Sequence, residues 1–485
     1  MIQIILVLFI IYLIYSFIKK NQKSHNDQLP FALPVLGHVH LFGTEPIHRA
    51  LMNLMNRMKI KNLKVWFGDN HTLIVMDPVL LREIYINNFD IFSSRFHSPV
   101  LEWASDGYRG ISGSSGEEWK QNKSKVISAF SNTNIKKSMH VLEDQCQKFI
   151  KALESHCTTS ELFNPRSYCQ KYTMNVLTKS IYSLEVPYND TKTKESERVS
   201  HLLKCMDKSF KITGEFSPLD MFEIIAPFRR LYLTWFRPEQ QIAKAYIRDI
   251  YNDHLSTFDK ENPRDLMDHL ISVTDTNSKD EVDNLCRIGM ELMAAGSETS
   301  SSTIEWFIIL MANYPNIQEK LYAEVKEITL TNGMITLSNR QSTPYVNACI
   351  KESMRYKPTG PFNLPRIASQ DITLHDVFIP KGTQILHFHY GMCQSEEYWL
   401  SPNEFLPERF INNNHSDTFK PFSLGTRNCV GVNLAQDELY LAIANMLLNF
   451  KISPPFENTK IDETELLGLT FHCNPFNIKF EKRIK

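Results

Sequence analysis

The stretch "FSLGTRNCVG", Phe422–Gly431, places one cysteine in a short loop between two glycines. It matches the pattern F-x-x-G-x-R-x-C-x-G at every fixed position. At average residue frequencies, such a match occurs by chance about once in 10,000 sequences of this length. The loop precedes an apolar-periodic helix, "VNLAQDELYLAIANMLLNF", whose free N–H groups and dipole favour an anionic sulfur on Cys429. The pattern therefore predicts a thiolate with a chemical role rather than a buried free cysteine in a turn.

The composition is that of a folded protein with a large apolar core. The chain has 485 residues, of which 42% are hydrophobic and 22% charged, and its formal net charge is -1. No bulk positive field attracts nucleic acid, so we expect no nucleic-acid partner. The nine cysteines include no C-x-x-C pair, which argues against a disulfide framework and against a structural zinc site. No composition break divides the body of the chain, so we expect one large domain.

The N-terminal segment from Ile2 to Ile18 is almost wholly apolar. As a helix it would be roughly 25 Å long, enough for a thin bilayer such as that of the endoplasmic reticulum. A cleaved signal peptide is the alternative, but no basic residue precedes the run and no A-x-A site follows it. Lys19, Lys20 and Lys23 follow the run, so the positive-inside rule predicts a cytosolic body. The predicted organisation is a single-pass transmembrane anchor at residues 1–18, a basic and proline-containing linker at residues 19–37, and a catalytic body at residues 38–485.

The body is predicted to be mainly helical with small sheets. Residues Leu63–Met76 alternate on both sides of Gly68, which is typical of a β-hairpin, and "QILHFHY" is a second strand candidate. Helical spacing covers nearly everything between them. The predicted helices include Trp119–Phe130, Glu143–Leu153, Leu266–Val273, Asn316–Ile328 and Tyr345–Tyr356.

A further predicted helix is unusually long, from near Asp280 until Pro315 stops it. Near its middle, Gly296 and the hydroxyl residues that begin with Ser297 are poor helix formers, which predicts a kink or a π-bulge. A solvated polar stripe is the alternative interpretation. It fits poorly with the apolar residues on both sides of the segment.

The cysteine loop closely resembles the haem-binding loop of the cytochrome P-450 family of haem-thiolate monooxygenases. The resemblance implies that Cys429 is the axial ligand of the iron in a haem b, and thus the metal ligand of this chain. Phe422 would shield the sulfur from water, and Gly431 would let the backbone approach the porphyrin. Arg427 would pair with a haem propionate. Thiolate ligation favours cleavage of the O–O bond, the chemistry for which such haems are used.

Two further motifs fall in the order that the family shows. "ESMR" places Glu352 and Arg355 on one helix face, and "PERF" supplies Arg409 upstream of the cysteine. Alone, E-x-x-R usually marks a surface ion pair. Together, the three residues resemble the family's Glu-Arg-Arg network, which implies a structural role around the cysteine loop rather than a catalytic one.

The segment "AGSETS", Ala295–Ser300, resembles the family's A-G-x-[DE]-T-[TS] motif on the long helix over the distal haem face. Ala295 and Thr299 are one turn apart, so a small residue would leave room above the iron while the hydroxyl reaches dioxygen. The resemblance implies that Thr299 and Glu298 are catalytic residues that relay protons from solvent.

Anchoring of the haem propionates is predicted from weaker resemblances, at Trp119 in "WKQNK", Arg366 in "LPR" and Arg95 in "FSSR". The chain departs from the family at Lys123, where W-x-x-x-R is usual. Lysine keeps the charge but loses the bidentate fork, so we expect a weaker or rearranged contact with the haem.

Two other patterns have competing interpretations. His387 and His389 suggest a metal pair, but a lone H-x-H is more often packing. Lys120, Lys136 and Lys137 suggest either a basic face for a reductase or a solvated helix flank. Neither pattern decides the function.

The resemblance implies the cytochrome P-450 fold, a helix-rich prism around a buried haem with small β-sheets, preceded by one membrane-anchor helix. The implied activity is monooxygenation, in which one atom of O₂ enters a hydrophobic organic substrate with electrons from NADPH. The chain contains no G-x-G-x-x-G and no flavin module, so a separate NADPH-cytochrome P-450 reductase is the expected donor. The expected location is the endoplasmic reticulum membrane, with the catalytic domain in the cytosol.

Two alternatives stay open. One is a haem-thiolate isomerase or dehydratase that acts on a peroxide without a reductase, and the other is a non-catalytic haem-binding sensor. The adjacent Glu298 and Thr299 argue against the first, since those reactions need no proton relay. Sterols, fatty acids, terpenoids and xenobiotics all stay open as substrates. By family position, the pocket should be lined by residues 100–111, 210–228, 295, 359–364 and 468–471.

Overall fold

The computed structural model describes residues 2–23, 29–130, 132–157, 162–188, 194–215, 217–329, 333–413, 415 and 417–483. Within these ranges the fold is mainly α-helical, with short strands in small sheets. The helices are α1 (Ile2–Lys23), α2 (Ile47–Met58), α3 (Pro78–Arg82), α4 (Pro99–Ala104), α5 (Gly116–Ala129), α6 (Asn132–Cys157), α7 (Arg166–Tyr182), α8 (Lys194–Gly214), α9 (Ala226–Phe236), α10 (Glu239–Ser256), α11 (Leu266–Ser272), α12 (Lys279–Asn313), α13 (Pro315–Ile328), α14 (Pro344–Tyr356), α15 (His389–Gln394) and α16 (Val432–Asn449). The strands are β1 (Asn62–Phe67), β2 (Asn70–Val75), β3 (Arg366–Ile367), β4 (Ile372–Leu374), β5 (Val377–Ile379), β6 (Gln384–His387), β7 (Phe450–Ser453), β8 (Glu465–Leu467), β9 (Phe471–Cys473) and β10 (Lys479–Lys482).

The predicted long helix is α12, and it forms the centre of the molecule. Its residues belong to both of the largest apolar clusters, one with α6, α13, α14 and α16, and the other with α5, α8, α10 and α11. Ser278 caps its first turn, because the Ser278 side chain accepts a hydrogen bond from the backbone of Glu281. An element that contributes to both clusters fixes the positions of the helices on either side of it.

The run of hydroxyl residues in α12 does not interrupt the helix. The segment is α-helical throughout, so the predicted π-bulge is wrong. The hydroxyls of Thr299 and Thr303 donate to the carbonyls of Ala295 and Thr299, at 2.8 and 2.9 Å, which satisfies them within the helix. Gly296 serves close packing, because a Cβ there would lie 2.8 Å from a methyl group of Leu177 on α7. The solvated-stripe interpretation is also wrong, since Ser300 and its neighbours are buried.

The predicted hairpin is confirmed, and it belongs to a four-stranded sheet in the order β1-β2-β6-β3. The second predicted strand is shorter than "QILHFHY", because β6 ends at His387 and α15 begins at His389. His387 packs between the side chains of Asn363, 2.6 Å away, and Met392, 3.2 Å away. Burial holds the pKa of His387 well below its ordinary value. Packing is therefore the role of this histidine.

The apolar N-terminal segment is part of α1, which continues to Lys23. Among the residues described, no helix combines the length and the apolar character needed to span a membrane. The last turn of α1 is hydrogen-bonded to the body. Lys20 Nζ donates to the carbonyl of Val35 at 2.8 Å and lies 3.2 Å from a carboxylate oxygen of Asp69. Asn21 exchanges two hydrogen bonds with the backbone of Ala32, at 3.0 and 2.9 Å.

Asp69, at the tip of the β1–β2 hairpin, also contacts the segment between α8 and α9. Its backbone N–H donates to the carbonyl of Met221 at 2.8 Å, and its carboxylate accepts from the N–H of Glu223 at 3.1 Å. A Cβ at Gly68 would lie 2.4 Å from the same Met221 carbonyl, so the contact requires glycine there. One aspartate thus joins α1, the hairpin and the segment that leads to α9.

Glu352, Arg355 and Arg409 form the network that their spacing suggested. Arg355 on α14 makes a two-pronged ion pair with Glu352, at 2.8 and 2.9 Å, and Arg409 reaches the same carboxylate at 3.1 Å. The remaining donors of Arg355 bind the carbonyls of Cys393, Pro402 and Glu404. Glu352 and Arg355 are fully buried, so each charge depends on the others for compensation. The network ties α14 to the chain that precedes the cysteine loop.

Candidate active site

A cavity of about 490 Å³ lies between α12 and the cysteine loop. Each of the stretches expected to line the pocket contributes to its wall. These lining residues are Leu101, Ala104, Ile111, Phe210, Thr213, Ala295, Thr359, Gly360, Phe362, Asn363, Leu364, Leu469 and Thr470. The wall also includes residues that the sequence did not indicate, among them Met206, Ser209, Gln240, Ala243, Arg287 and Glu291.

The cysteine loop places the Cys429 thiol at the wall of this cavity. The backbone N–H of Cys429 donates to the carbonyl of Phe422 at 2.9 Å, which closes the loop. Gly425 has a φ of 71°, and a Cβ there would lie 2.2 Å from the backbone oxygen of Tyr85, so only glycine fits. A Cβ on Gly431 would meet nothing within 4 Å, which leaves open space beside the sulfur. This space fits the approach of a flat porphyrin.

The Cys429 thiol is not made acidic by the protein alone. Burial raises its pKa above the ordinary value, and the backbone N–H of Gly431 opposes this only in part. A metal ion bound to the sulfur would reverse this balance, because metal coordination deprotonates a thiol. The donor set thus fits an iron ligand better than a free nucleophile.

Four cationic side chains gather at one side of the cavity: Arg95, Lys123, Arg366 and Arg427. Burial lowers the pKa of Arg427 to about 8, with further contributions from Arg95 and Arg366. Burial lowers the pKa of Arg95 to about 10, and Arg366 again contributes. Burial, Arg427 and Arg366 lower the pKa of Lys123. Positive charges that destabilise one another in this way require an anionic partner.

The guanidinium groups of Arg366 and Arg427 have unpaired N–H donors that can bind an anion. Nε and Nη1 of each are buried and have no hydrogen-bond partner within the described part of the chain. Arg366 lies over the ring of Tyr85 at 3.7 Å, and Arg427 lies over the ring of Trp119 at 4.2 Å, which fixes both orientations. The two carboxylates of a haem would satisfy these donors, so the residues fit that cofactor.

Lys123 contacts the cysteine loop and the ring of Trp119. Its ammonium group donates to the carbonyl of Thr426, and it lies 5.6 Å from the centre of the Trp119 ring. This bond ties Lys123 to the cysteine loop. Its role toward the haem stays a prediction.

Ala295 and Thr299 lie together on the wall of the cavity, on the side formed by α12. The Thr299 hydroxyl donates to the carbonyl of Ala295 at 2.8 Å, and its oxygen keeps its acceptor capacity. Both residues that were predicted to lie over the distal face of the haem therefore line the cavity, where a bound ligand would contact them.

Glu298 lies on another face of α12. Its carboxylate is buried between α7 and β9, 3.2 Å from Nδ1 of His472 and 3.6 Å from Arg166. Burial raises the pKa of Glu298 well above its ordinary value, and the nearby Asp207 carboxylate adds to the effect while Arg166 opposes it. The predicted acid and the predicted hydroxyl are adjacent in sequence, but the Glu298 side chain faces α7 and β9 whereas Thr299 lies on the cavity wall.

Some residues of the site carried no recognisable sequence signal. Tyr85 and Ser114 contact the propionate-side arginines from segments more than two hundred residues away in the chain. Glu291 lies one turn before Ala295 on α12. Its closeness in sequence to the A-G-x-[DE]-T-[TS] motif is the one signal that could have indicated that it belongs to the site. Of the predicted basic face, Lys120 is 62% exposed, and the side chains of Lys136 and Lys137 lie outside the described residues.

Comparisons with known proteins agree with this geometry. A family model described as cytochrome P450 matches residues 28–480. The chain is 39% identical to a probable cytochrome P450 508A1 and 36% identical to a probable cytochrome P450 508A2, both from Dictyostelium discoideum, with 99% of each chain covered. A solved zebra fish cytochrome P450 structure with abiraterone is similar with a TM-score of 0.77 and 23% identity, covering 91% of this chain and 100% of that one. That structure supports the fold.

Proposed function

Because this chain belongs to the cytochrome P450 family, it is a haem-binding monooxygenase, and we propose that Cys429 is the thiolate ligand of its iron. The further proposal is that one atom of O₂ is inserted into a hydrophobic organic substrate. This proposal rests on one observation, that Cys429, four cationic side chains and Thr299 all line the same cavity. When bound, a thiolate-ligated haem supplies the chemistry that cleaves O₂.

The side chains of this chain have separate tasks in the proposal. Arg366 and Arg427 offer their free donors to the haem carboxylates. Apolar residues such as Phe210 and Leu469 exclude water and bind the substrate through its apolar surface. Thr299 Oγ1 holds a proton at the α12 wall of the cavity.

Glu298 is proposed to store a proton behind α12. Its raised pKa favours the protonated carboxyl, and its neighbours His472 and Arg166 are partly exposed to solvent. For this proton to reach Thr299, the carboxyl must change its rotamer or a water must bridge the two groups. This requirement follows because the side chains of Glu298 and Thr299 lie on different faces of α12.

Electrons are proposed to come from NADPH through a separate reductase. The proposal rests on family membership, since cytochromes P450 generally use a redox partner. Lys120 on α5 is exposed, and its ammonium group lies 3.6 Å from the Glu117 carboxylate, so any contribution to an acidic partner surface competes with this pair. Reconstitution with NADPH-cytochrome P450 reductase, at low and high salt, measures both the dependence and its electrostatic part.

Membrane association at the endoplasmic reticulum is proposed from two exposed apolar surfaces. On α1 the exposed side chains include Ile11, Ile14 and Tyr15, and on α9 they include Phe228 and Trp235. Exposed apolar area of this kind is typical of proteins that bind lipid. Fractionation of cells that express the full chain or a chain without residues 1–18 tests the proposal. Release of the shortened chain into the soluble fraction supports it, and equal distribution of both chains contradicts it.

The experiment that tests the proposed iron ligand is carbon monoxide binding to the reduced haem protein. Thiolate coordination gives a strongly red-shifted Soret band, whereas a neutral thiol or imidazole gives none. The Cys429→Ser variant should lose this band, and Cys146→Ser, at another cysteine, should keep it. Retention of the band in Cys429→Ser would overturn the assignment.

Turnover then separates the possible reactions. A monooxygenase consumes NADPH and O₂ only with the reductase present. A peroxide isomerase or dehydratase acts on an organic peroxide alone, and a sensor binds haem without turnover. Screening of a lipid and metabolite library for displacement of the haem water ligand identifies the substrate class.

A further inference from the structure

The segment from Gly110 to Ser115 lies between α12 and the arginines that face the haem carboxylates. On the α12 side, one carboxylate holds it. Glu291 Oε2 accepts hydrogen bonds from the backbone N–H groups of Ile111 and Ser112, at 2.7 and 3.1 Å. Glu291 Oε1 accepts from the Ser112 hydroxyl at 2.6 Å. Bonds between an ionised carboxylate and backbone donors are among the strongest hydrogen bonds in proteins.

Two asparagines hold the same segment at Gly110. Its N–H donates to Asn284 on α12 at 3.1 Å, and its carbonyl accepts from Asn122 on α5 at 2.8 Å. Gly110 has a φ of 74°, and a Cβ there would lie 2.5 Å from Glu291 Oε2. The positive φ favours glycine at this position, and a Cβ would displace the Glu291 carboxylate from its hydrogen bonds.

On its other side, the segment binds the arginines of the cationic group. The carbonyl of Ser112 accepts from Arg95 Nε at 2.9 Å, and the carbonyl of Ser114 accepts from Arg427 Nη2 at 2.6 Å. The Ser115 hydroxyl accepts from the backbone N–H of Arg95 at 3.0 Å. Ser112 thus contacts Glu291 through its backbone N–H and hydroxyl, and Arg95 through its carbonyl.

The hydrogen-bonding capacity of the Glu291 carboxylate is satisfied by donors within the protein. Besides the segment, Oε1 accepts from Arg287 Nε at 3.1 Å. Arg287 also donates to Gln240 on α10 at 3.0 Å and to the carbonyl of Ala104. The pair is buried, and its charges compensate each other. A carboxylate with this set of donors is occupied, which distinguishes it from a proton carrier such as Glu298.

We infer that Glu291 is a positioning residue. It holds residues 110–115 against α12, and the carbonyls of that segment hold Arg95 and Arg427 in the orientation that receives the haem carboxylates. The inference rests on the proposed function in one respect, that the cationic side of the cavity binds the haem. It adds that the distal helix sets the strength of haem retention on the opposite wall.

Hydrogen–deuterium exchange and haem release test the inference on the purified holoenzyme. In Glu291→Ala, we expect faster exchange in peptides that cover residues 105–116. We also expect transfer of haem to apomyoglobin to be about tenfold faster. A tenfold change corresponds to the loss of about one charge-assisted hydrogen bond. Glu291→Gln should show a smaller change of both, because the amide oxygen still accepts a backbone N–H. The matched control is Glu305→Ala, which removes a buried carboxylate of α12 that pairs with Arg166 instead.

The outcomes separate positioning from general destabilisation. Equal exchange and equal haem release in Glu291→Ala and Glu305→Ala would overturn the inference. If Glu291→Ala fails to fold, Ser112→Ala and Glu291→Gln carry the test, and wild-type exchange at residues 105–116 in both would overturn it. A wild-type protein without the red-shifted carbon monoxide band would instead refute the Cys429 assignment, and the exchange measurement would keep its meaning.

Discussion

Lys123 is the residue at which this chain departs from the usual family pattern. Its ammonium group adds to the cationic side of the cavity and bonds to the carbonyl of Thr426. We expect Lys123→Met to release haem several-fold faster, because both a positive charge and a contact with the cysteine loop are lost. The rate of haem transfer to apomyoglobin measures this. Lys120→Met, on the exposed side of the same helix, is the control. Identical transfer rates in the two variants would remove Lys123 from the site.

Thr299 carries the second prediction at the residue scale. Its hydroxyl is the polar group of α12 next to Ala295 on the cavity wall. In Thr299→Ala, we expect roughly tenfold less product per NADPH consumed, because a positioned proton donor contributes a factor of that size or more. The carbon monoxide spectrum should stay unchanged. Ser301→Ala, which removes a buried hydroxyl bonded to the Glu298 carbonyl, is the control. Full coupling of NADPH use to product in Thr299→Ala would contradict the role.

The sequence predicts single residues well where a motif is continuous. Cys429 and Arg427 lie in one ten-residue loop, and both reach the cavity. Tyr85, Ser114 and Glu291 were not predicted, because their contacts depend on how distant segments come together.

At the scale of elements, the cysteine loop depends on the close approach of two backbones. Gly425→Ala would place a Cβ 2.2 Å from the Tyr85 carbonyl, at a residue with a φ of 71°. We expect a loss of about 3 kcal/mol or more in the free energy of unfolding, together with reduced haem content. Gly382→Ala is the control, because its φ is also positive, at 81°, but its Cβ would meet nothing within 4 Å.

Backbone strain alone should make the Gly382→Ala variant about 1 kcal/mol less stable. Denaturant unfolding of both variants, with haem absorbance read in parallel, gives the comparison. Equal losses in the two variants would show that contact with Tyr85 does not constrain the loop.

The elements also show where local propensity failed. The helices predicted from apolar spacing are present, and the bounds of α11, α13 and α14 agree within a residue or two. The hydroxyl run in α12 is α-helical in spite of its weak propensity, because Thr299 and Thr303 donate their hydroxyls within the helix and the face that carries Ser300 is buried. "QILHFHY" was read as one strand because its alternation continues past His387, where the chain turns into α15.

At the scale of the whole molecule, pH should affect stability through Glu438, on the helix that follows the cysteine loop. Burial raises the pKa of Glu438 to about 8, from an ordinary value of 4.5. Between these values the folded protein keeps a proton that the unfolded chain releases, so stability falls as pH rises. The slope from this group is about 1.4 kcal/mol per pH unit at most. Above pH 8 its contribution to the slope ends.

Glu438→Gln should flatten the fall in the unfolding free energy between pH 5 and pH 8. Glu396→Gln, at an exposed position, should leave the wild-type profile unchanged. Denaturant unfolding at a series of pH values measures both variants. Parallel profiles for the wild type and Glu438→Gln would show that Glu438 is ionised in the folded protein.

The fold class and the cofactor were predictable because one rare loop identifies the family, and the family determines the rest of the architecture. The wall contributed by α10, through Gln240 and Ala243, was not predicted. Those residues sit in an ordinary amphipathic helix, and only its docking against α12 brings them to the cavity.

The bonds at the end of α1 have a mechanical consequence. Because Lys20 and Asn21 are fastened to the turn at Ala32–Val35, α1 cannot swivel without breaking them. Asp69 extends the same linkage to Met221, ahead of α9. These contacts hold the last turn of α1 against the body and restrict the angle between the two.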